Sequence, residues 1–142
     1  MKIGKTSKTT LALLLTIAIL SSALAYSLWL YTVENNMSIT TYKEVQVEKP
    51  LTTKILTYQW GEFNKTNPTK TETFWLRTLT NMPINVTSQT SGLSSAFTFD
   101  LNVTKFEFTT YNQTIAFDAT LTLVDFSEPP DTFAFDLEFG EE

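Results

Sequence analysis

Five Asn-x-Ser/Thr triplets are the residues of this sequence with the most defined chemistry. They begin at Asn36, Asn64, Asn85, Asn102 and Asn112. Ser and Thr are common enough here that chance alone gives about two such triplets. The triplet is the acceptor of N-linked glycans on exported proteins, so its excess predicts a glycosylated surface protein. A merely Thr-rich composition is the competing explanation.

Acidic side chains are the next candidates for chemistry. Asp100, Asp118, Asp136 and Glu138 occupy the polar positions of alternating segments, and Asp125, Glu128 and Asp131 share one short stretch. A carboxylate pair could hydrolyse glycosidic bonds, and a carboxylate-rich loop could hold Ca²⁺. No EF-hand spacing is present, so we interpret these acids as a solvated surface and expect no metal and no cofactor.

The absence of histidine and cysteine from the whole sequence narrows the function further. Imidazole bases, thiolate nucleophiles, disulfides and the usual zinc ligands are all excluded. No nucleophile with an adjacent base is visible either, so we predict a non-enzymatic protein without a small-molecule substrate.

Charge argues against two classes of partner. Beyond Lys2, Lys5 and Lys8 the chain keeps 7 basic and 15 acidic residues, a net charge of −8. Nucleic acids and anionic lipid surfaces both require clustered positive charge, so we expect neither as a partner.

An uncharged apolar segment follows those three lysines. It extends from Leu11 through Leu20, Ala25 and Trp29 to Tyr31. Its 21 residues, as a helix, span about 31 Å, which is enough for the hydrocarbon core of a membrane. Positive charge stays on the cytoplasmic side, so this interpretation gives a single-pass membrane protein with its N-terminus inside and its domain outside.

The same residues also fit a signal peptide. Ala23-x-Ala25 is typical of a cleavage site, and cleavage between Ala25 and Tyr26 would release the protein. The new N-terminus would then alternate, with Leu28 and Leu30 on one face of a strand that could complete the sheet of a neighbouring subunit in a homopolymer. A type IV pilin is a weaker fit, since no basic residue directly precedes Gly4.

Residues 1–33 are thus the signal or anchor segment, the polar residues 34–42 are predicted to be a linker, and residues 43–142 are predicted to form the outer domain.

In that outer domain, apolar and polar residues alternate with period two. The alternating segments are ILTYQW, TETFWLRTLT, AFTFDLNV, TIAFDATLTLV and TFAFDLEF. A change of face between Val103 and Phe106 requires a turn or bulge near Thr104.

Seven or so short strands separated by turns predict an all-β fold, an Ig-like antiparallel β-sandwich preceded by one hydrophobic helix. A Trp60-Gly61 pair, the segment TETFWLRTLTNMPINVT and the final FAFDLEF, behind a hydrophobic N-terminus, resemble small archaeal cell-surface proteins with Ig-like sandwiches. TasA-like and bundling-pilus subunits have a similar architecture. The resemblance implies a hairpin around residues 80–84 and, in the polymerising relatives, donation of a strand to the next subunit.

Three functions are therefore open. The first is a membrane-anchored cell-surface protein with a structural or adhesive role. The second is a secreted filament subunit, and the third is a carbohydrate- or protein-binding module built on Trp60, Phe74 and Trp75. Because Phe74 and Trp75 are adjacent, they must face opposite sides of a strand, so a core position for Phe74 and an outer position for Trp75 is the simpler arrangement.

Overall fold

A computed structural model describes residues 34–127 and 132–142, and this part of the chain is all-β. Its nine strands are β1 (Glu34–Thr41), β2 (Val45–Glu48), β3 (Thr57–Gln59), β4 (Thr69–Thr78), β5 (Ile84–Ser91), β6 (Phe97–Leu101), β7 (Lys105–Phe108), β8 (Thr114–Leu123) and β9 (Thr132–Glu141). The predicted all-β class is confirmed, with nine strands in place of about seven. The hydrophobic helix was predicted for residues 1–33, which lie outside the described residues.

The strands form two sheets. One has five strands in the order β3-β1-β9-β5-β7, and the other has four in the order β2-β4-β8-β6. All pairs are antiparallel except β1 with β9, which is parallel from Glu34↔Thr132 to Thr41↔Phe139. Two sheets that enclose one core make a β-sandwich.

The core between the sheets is rich in aromatic residues. Phe117 of β8 contacts Phe106 of β7 and Phe139 of β9 with ring centroids 5.5 Å apart in each case. Phe99 of β6 lies 5.2 Å from Phe135 of β9. Each of these pairs joins one sheet to the other, and edge-to-face contacts of this kind stabilise beyond the area they bury.

Alternation along the strands explains which residues form that core. In β4 the buried Phe74, Leu76 and Thr78 alternate with the partly exposed Trp75 and Arg77. Four of the five alternating segments form β4, β6, β8 and β9 as predicted, whereas only Thr57–Gln59 of ILTYQW is strand. The predicted reset near Thr104 separates β6 from β7, which belong to different sheets. Leu56 is an exception, because it lies outside β3 and its side chain is 59% exposed.

The prediction of a linker at residues 34–42 is wrong. Those residues form β1, an internal strand between β3 and β9. Its alternate side chains Asn35, Met37 and Ile39 are at most 4% exposed. The segment has few apolar residues and looks like a loop in isolation, but pairing on both sides satisfies its backbone and buries one face.

The implied hairpin at residues 80–84 is also not formed. The turn there connects β4 of the four-stranded sheet to β5 of the five-stranded sheet. Leu79 still donates its backbone N–H to Glu44 on the β4 side, whereas Ile84 pairs with Phe108 of β7. The chain therefore crosses between sheets where a hairpin would pair β4 with β5.

We expect Met37→Ala to destabilise the domain by about 2–5 kcal/mol, because truncating a fully buried Met removes apolar contacts and leaves a cavity. Thr40→Ala, on the exposed face of the same strand, is the matched control and should change stability by less than about 0.5 kcal/mol. Denaturant unfolding measures both. Equal effects of the two substitutions would contradict the assignment of residues 34–41 to an internal strand.

Candidate functional site

The N-terminal predictions fall on residues that the structure does not describe. The membrane segment (Leu11, Leu20, Ala25, Trp29, Tyr31), the cleavage pair (Ala25, Tyr26) and the donor-strand residues (Leu28, Leu30) all lie outside the described residues. Within residues 34–127 and 132–142, no helix is long and apolar enough to cross a membrane.

The five glycosylation triplets fall into two groups. Asn36 of β1 and Asn85 of β5 are exposed on the outer face of the five-stranded sheet, and no hydrogen bond of either side chain is seen within the described residues. Both are therefore open to a glycan.

The amides of the other three asparagines are engaged. Oδ1 of Asn64 accepts backbone N–H bonds from Thr66 and Asn67 at 2.9 Å. Asn102 accepts from the backbone N–H of Asp118 at 2.7 Å and donates through Nδ2 to the Asp118 carboxylate at 3.5 Å. Asn102 therefore uses the nitrogen that a glycan would need.

Asn112 lies in the turn between β7 and β8 with a left-handed backbone, at φ 60°. Its Oδ1 accepts from Nη1 of Arg77 at 2.8 Å. Asn is among the residues that best tolerate this backbone region, so the position is explained by the turn itself.

A small cleft opens at the end of the five-stranded sheet where β1 and β9 begin and β3 ends. Its volume is about 130 Å³, and its described lining is Asn35, Asn36, Gln59, Gly61 and Thr132. None of these side chains carries a charge. The cleft therefore offers amide and hydroxyl groups, which suit a neutral, hydrogen-bonding occupant.

Asn35 distinguishes this cleft from the other surface depressions. Asn35 is 3% exposed, and within the described residues neither its Oδ1 nor its Nδ2 has a hydrogen-bond partner. A buried polar atom without a partner costs about 1–3 kcal/mol, so two such atoms on one side chain need an explanation. The backbone C=O of Asn35 is satisfied by the N–H of Trp60 at 3.3 Å, so the deficit belongs to the side chain alone.

The rim of the cleft is held by Gly61. Its φ of +73° is a conformation that L side chains rarely adopt, and an added Cβ would lie 3.2 Å from Nζ of Lys70. That ammonium donates to the carbonyl oxygen of Trp60 at 2.7 Å. Glycine at this position therefore allows the backbone to turn after β3, and the hydrogen bond from Lys70 holds that turn in place.

A second polar cluster surrounds the buried carboxylate of Glu48, which is 1% exposed. Arg77 donates to it twice, at 2.6 and 3.0 Å, and Gln46 and the backbone N–H of Thr52 donate at 2.6 and 2.7 Å. The bidentate hydrogen bonds from Arg77 hold the pKa of Glu48 below its usual value. Every lone pair is thus accounted for, which identifies the cluster as a structural link between β2 and β4.

The predicted aromatic site is not formed as a surface. Trp60 and Phe74 are buried in the core, and of the three only Trp75 lies on the outer face, where it is partly covered.

Nζ of Lys49 lies 4.8 Å from the centre of the Phe74 ring and 5.2 Å from that of the Tyr58 ring, and it donates to the Glu72 carboxylate at 2.6 Å. Burial, with a smaller effect of Glu72, raises the pKa of Tyr58 to about 12.

The acidic residues are separated in space. Asp100 and Asp118 lie on the four-stranded sheet, whereas Asp136 and Glu138 lie on β9 of the other sheet. Within the described residues, no group of three or more acidic, histidine or cysteine side chains could hold a metal ion. Oδ1 of Asp125 accepts hydrogen bonds from the hydroxyl and the backbone N–H of Ser127, and these bonds lower the pKa of Asp125. The other two acids of that predicted loop, Glu128 and Asp131, lie outside the described residues.

Two residues central to these clusters, Asn35 and Glu48, were missed by the sequence analysis. Period-two spacing of Asn35 with Met37 and Ile39 was the available signal, but a polar residue at its start hid it. Glu48 lies at an apparently ordinary charged position, and nothing local identifies Arg77 as its partner.

Comparison with protein-family models gives no match for this chain, and comparison with curated proteins gives none either.

We expect the Glu48–Arg77 link to make stability dependent on pH. A carboxyl whose folded pKa is depressed stabilises the fold above its unfolded pKa, near 4.5, and this contribution is lost as pH falls through the lower folded pKa. Glu48→Gln should therefore be less stable than the original at pH 7, and the gap should narrow below about pH 4.5. Denaturant unfolding from pH 3 to 7 measures this gap.

Glu44→Gln is the matched control, since Glu44 is partly exposed and lies 3.9 Å from Lys43. Its stability should differ little from the original at every pH. A Glu48→Gln gap that stays constant with pH would show that the ionised carboxylate is not what holds β2 to β4.

Proposed function

We propose that the chain is a non-enzymatic cell-surface protein, anchored by its N-terminal hydrophobic segment and structural or adhesive in role. The observation that supports this most is the parallel pairing of β1 with β9. Parallel strands begin at the same end of a sheet, so β1 starts at one end of the domain and β9, the last described strand, finishes at the other.

This arrangement suits a tethered protein under tension. A pull between the N-terminal segment and the C-terminal end acts along the strands, so it loads all eight β1–β9 residue pairs together. A pull applied to both strands at one end would instead separate the pairs in succession. The first geometry resists more force, because many hydrogen bonds must break in one step.

Strand order supports the Ig-like part of the proposal. In the four-stranded sheet the strands follow the order first, second, fourth, third along the chain. This is the A-B-E-D order of an immunoglobulin sheet. The other sheet differs, because β5 lies between β9 and β7, and β1 occupies a position parallel to β9. The resemblance to archaeal surface proteins with Ig-like sandwiches is proposed on the same basis.

The anchored form is tested by intact mass, N-terminal sequencing and fractionation of the protein from native cells. We expect a start at or near Met1 in the membrane fraction, because the apolar segment is long enough to span a bilayer. A start at Tyr26 in the medium would instead show cleavage after Ala25 and would overturn the anchor.

Force resistance is tested by pulling single full-length molecules through engineered cysteines, which is simple because the chain has none of its own. We expect a higher unfolding force for the pair Glu34→Cys and Glu142→Cys, which loads β1 and β9 in shear. The matched pair Glu34→Cys and Thr132→Cys pulls two partner residues apart and should open the strands one pair at a time. Equal forces would contradict the structural argument.

A filament subunit is the second candidate, favoured by an open edge in the four-stranded sheet. β2 pairs only with residues 75–78 of β4, so within the described residues the first half of β4 pairs with β8 alone. The carbonyl of Thr73 accepts there from Nζ of Lys49 at 3.1 Å, and the backbone groups of Thr69 and Thr71 point the same way. Such an edge can accept a strand from a neighbouring chain.

For this candidate, we expect Leu28→Asp with Leu30→Asp to abolish filaments and leave secretion intact, because the donated strand would lose its apolar face. Electron microscopy of the medium and immunoblotting measure the two outcomes. Ser27→Asp, on the alternate face, is the control. Filaments that persist in the double variant would exclude strand donation through these residues.

A further inference from the structure

We propose that the end of the sandwich farthest from the N-terminal segment is an adhesive contact surface, and that its partner is a second copy of this chain anchored in a facing membrane. The inference rests on the anchored form given under Proposed function. This surface, the distal end, consists of the three turns at residues 42–44, 79–83 and 109–113.

The topology brings these three turns together. Each one leads from the end of a strand in one sheet to the start of a strand in the other, namely β1 to β2, β4 to β5 and β7 to β8. The backbone N–H of Leu79 donates to the carbonyl oxygen of Glu44 at 2.7 Å, and that of Thr78 donates to Gln113 at 2.9 Å. Because β1 starts at the opposite end of the sandwich, an anchor that precedes Glu34 leaves the distal end facing away from its own membrane.

The distal end exposes large apolar side chains. Leu79 is 40% exposed, Met82 71% and Tyr111 59%, and they are three of the six large hydrophobic residues that are exposed in the described part of the chain. A single exposed apolar side chain needs no explanation, but these three lie on turns that cross the same end of the sandwich. Tyr and Met are also enriched in the centres of protein–protein interfaces.

The distal end carries little charge. Residues 79–83 and 109–113 include no Asp, Glu, Lys or Arg, and Lys43 and Glu44 of the first turn have opposite charges. The three turns therefore sum to zero, whereas the chain beyond Lys8 has a net charge of −8. A neutral centre that contains Tyr and Met is typical of a surface that binds another protein.

Neutrality also favours a second copy as the partner. Two copies of an acidic chain repel each other over most of their surfaces, and this repulsion is smallest where the turns are neutral. In a two-fold pairing each contact occurs twice, so Lys43 of one copy can meet Glu44 of the other. The Lys43 side chain is 77% exposed, and its Nζ lies 3.9 Å from its own Glu44, which leaves it accessible to a second carboxylate.

Anchoring makes a small contact sufficient. Three short turns offer less area than the roughly 800 Å² per partner of a standard interface, so one pair of copies should bind weakly. Many copies on two facing membranes pair together, and their combined affinity exceeds that of one pair. Copies side by side in one membrane could not bring their distal ends face to face, so the contact joins separate membranes.

The test uses the full-length protein in vesicles of neutral phosphatidylcholine, with flotation to measure insertion. The protein is made in a host without N-glycosylation, so that Asn112 in the third turn stays bare. Vesicles that carry the protein should aggregate, as measured by dynamic light scattering, and should not join protein-free vesicles. Met82→Asp and Tyr111→Asp each place a charge in the contact, so each should slow aggregation by roughly tenfold or more.

Val124→Asp is the matched control, because Val124 is 50% exposed and follows β8 at the opposite end of the sandwich. It adds the same charge and should leave aggregation unchanged. All three substitutions are at exposed positions, so the melting temperatures should stay close to that of the original. If one falls, Met82→Ser and Tyr111→Ser replace the Asp variants and should slow aggregation in the same way.

Protein that floats with its vesicles but leaves them dispersed would overturn the pairing and leave the anchor standing. Protein that does not float would overturn both. Aggregation with protein-free vesicles would show that lipid is the partner, and an equal effect of Val124→Asp would show that the distal end is not the contact. Either of these results would also overturn the proposal.

Discussion

The parallel pairing of β1 with β9 is the constraint on which the rest of the structure depends. It makes β9 an internal strand, so the Phe135, Leu137 and Phe139 side chains are covered from both sides and reach the opposite sheet. It gives β3 a strand to pair with, although β3 has only three residues. It also brings Asn35 to the end of the sheet, where the start of β9 and the end of β3 form the cleft.

The parts of the fold that the sequence predicts are those set by neighbours along the chain. Alternation in β4, β8 and β9 identifies each strand and its buried face, because each carries several large apolar residues at every second position. β1 has only Met37 and Ile39 in that role, with Asn35 in place of a third. Its strand character comes from two partners distant in sequence, and no local pattern contains that information. Sheet order and the crossover after Thr80 are nonlocal for the same reason.

The candidate site divides in the same way. A triplet such as Asn36-Met37-Ser38 is a local chemical signal, so all five acceptors are visible in the sequence. Their availability is not visible there, because it depends on distant groups such as Asp118, whose carboxylate accepts from Nδ2 of Asn102. Trp60 and Phe74 show the reverse case, since aromatic residues that could have formed a surface are drawn into the core by the area they bury.

Glu48 and Asn35 show how differently one fold treats two buried polar groups. Glu48 is a charge, and its burial is tolerated because Arg77, Gln46 and Thr52 supply donors to both oxygens. Asn35 is neutral and similarly buried, and its side chain has no hydrogen-bond partner among the described residues. Burial alone therefore does not explain the second case, since the same domain surrounds a more demanding group with partners. The difference lies in position, because Glu48 lies in β2 beside β4, which carries Arg77, whereas Asn35 lies near the start of β1 at the end of its sheet.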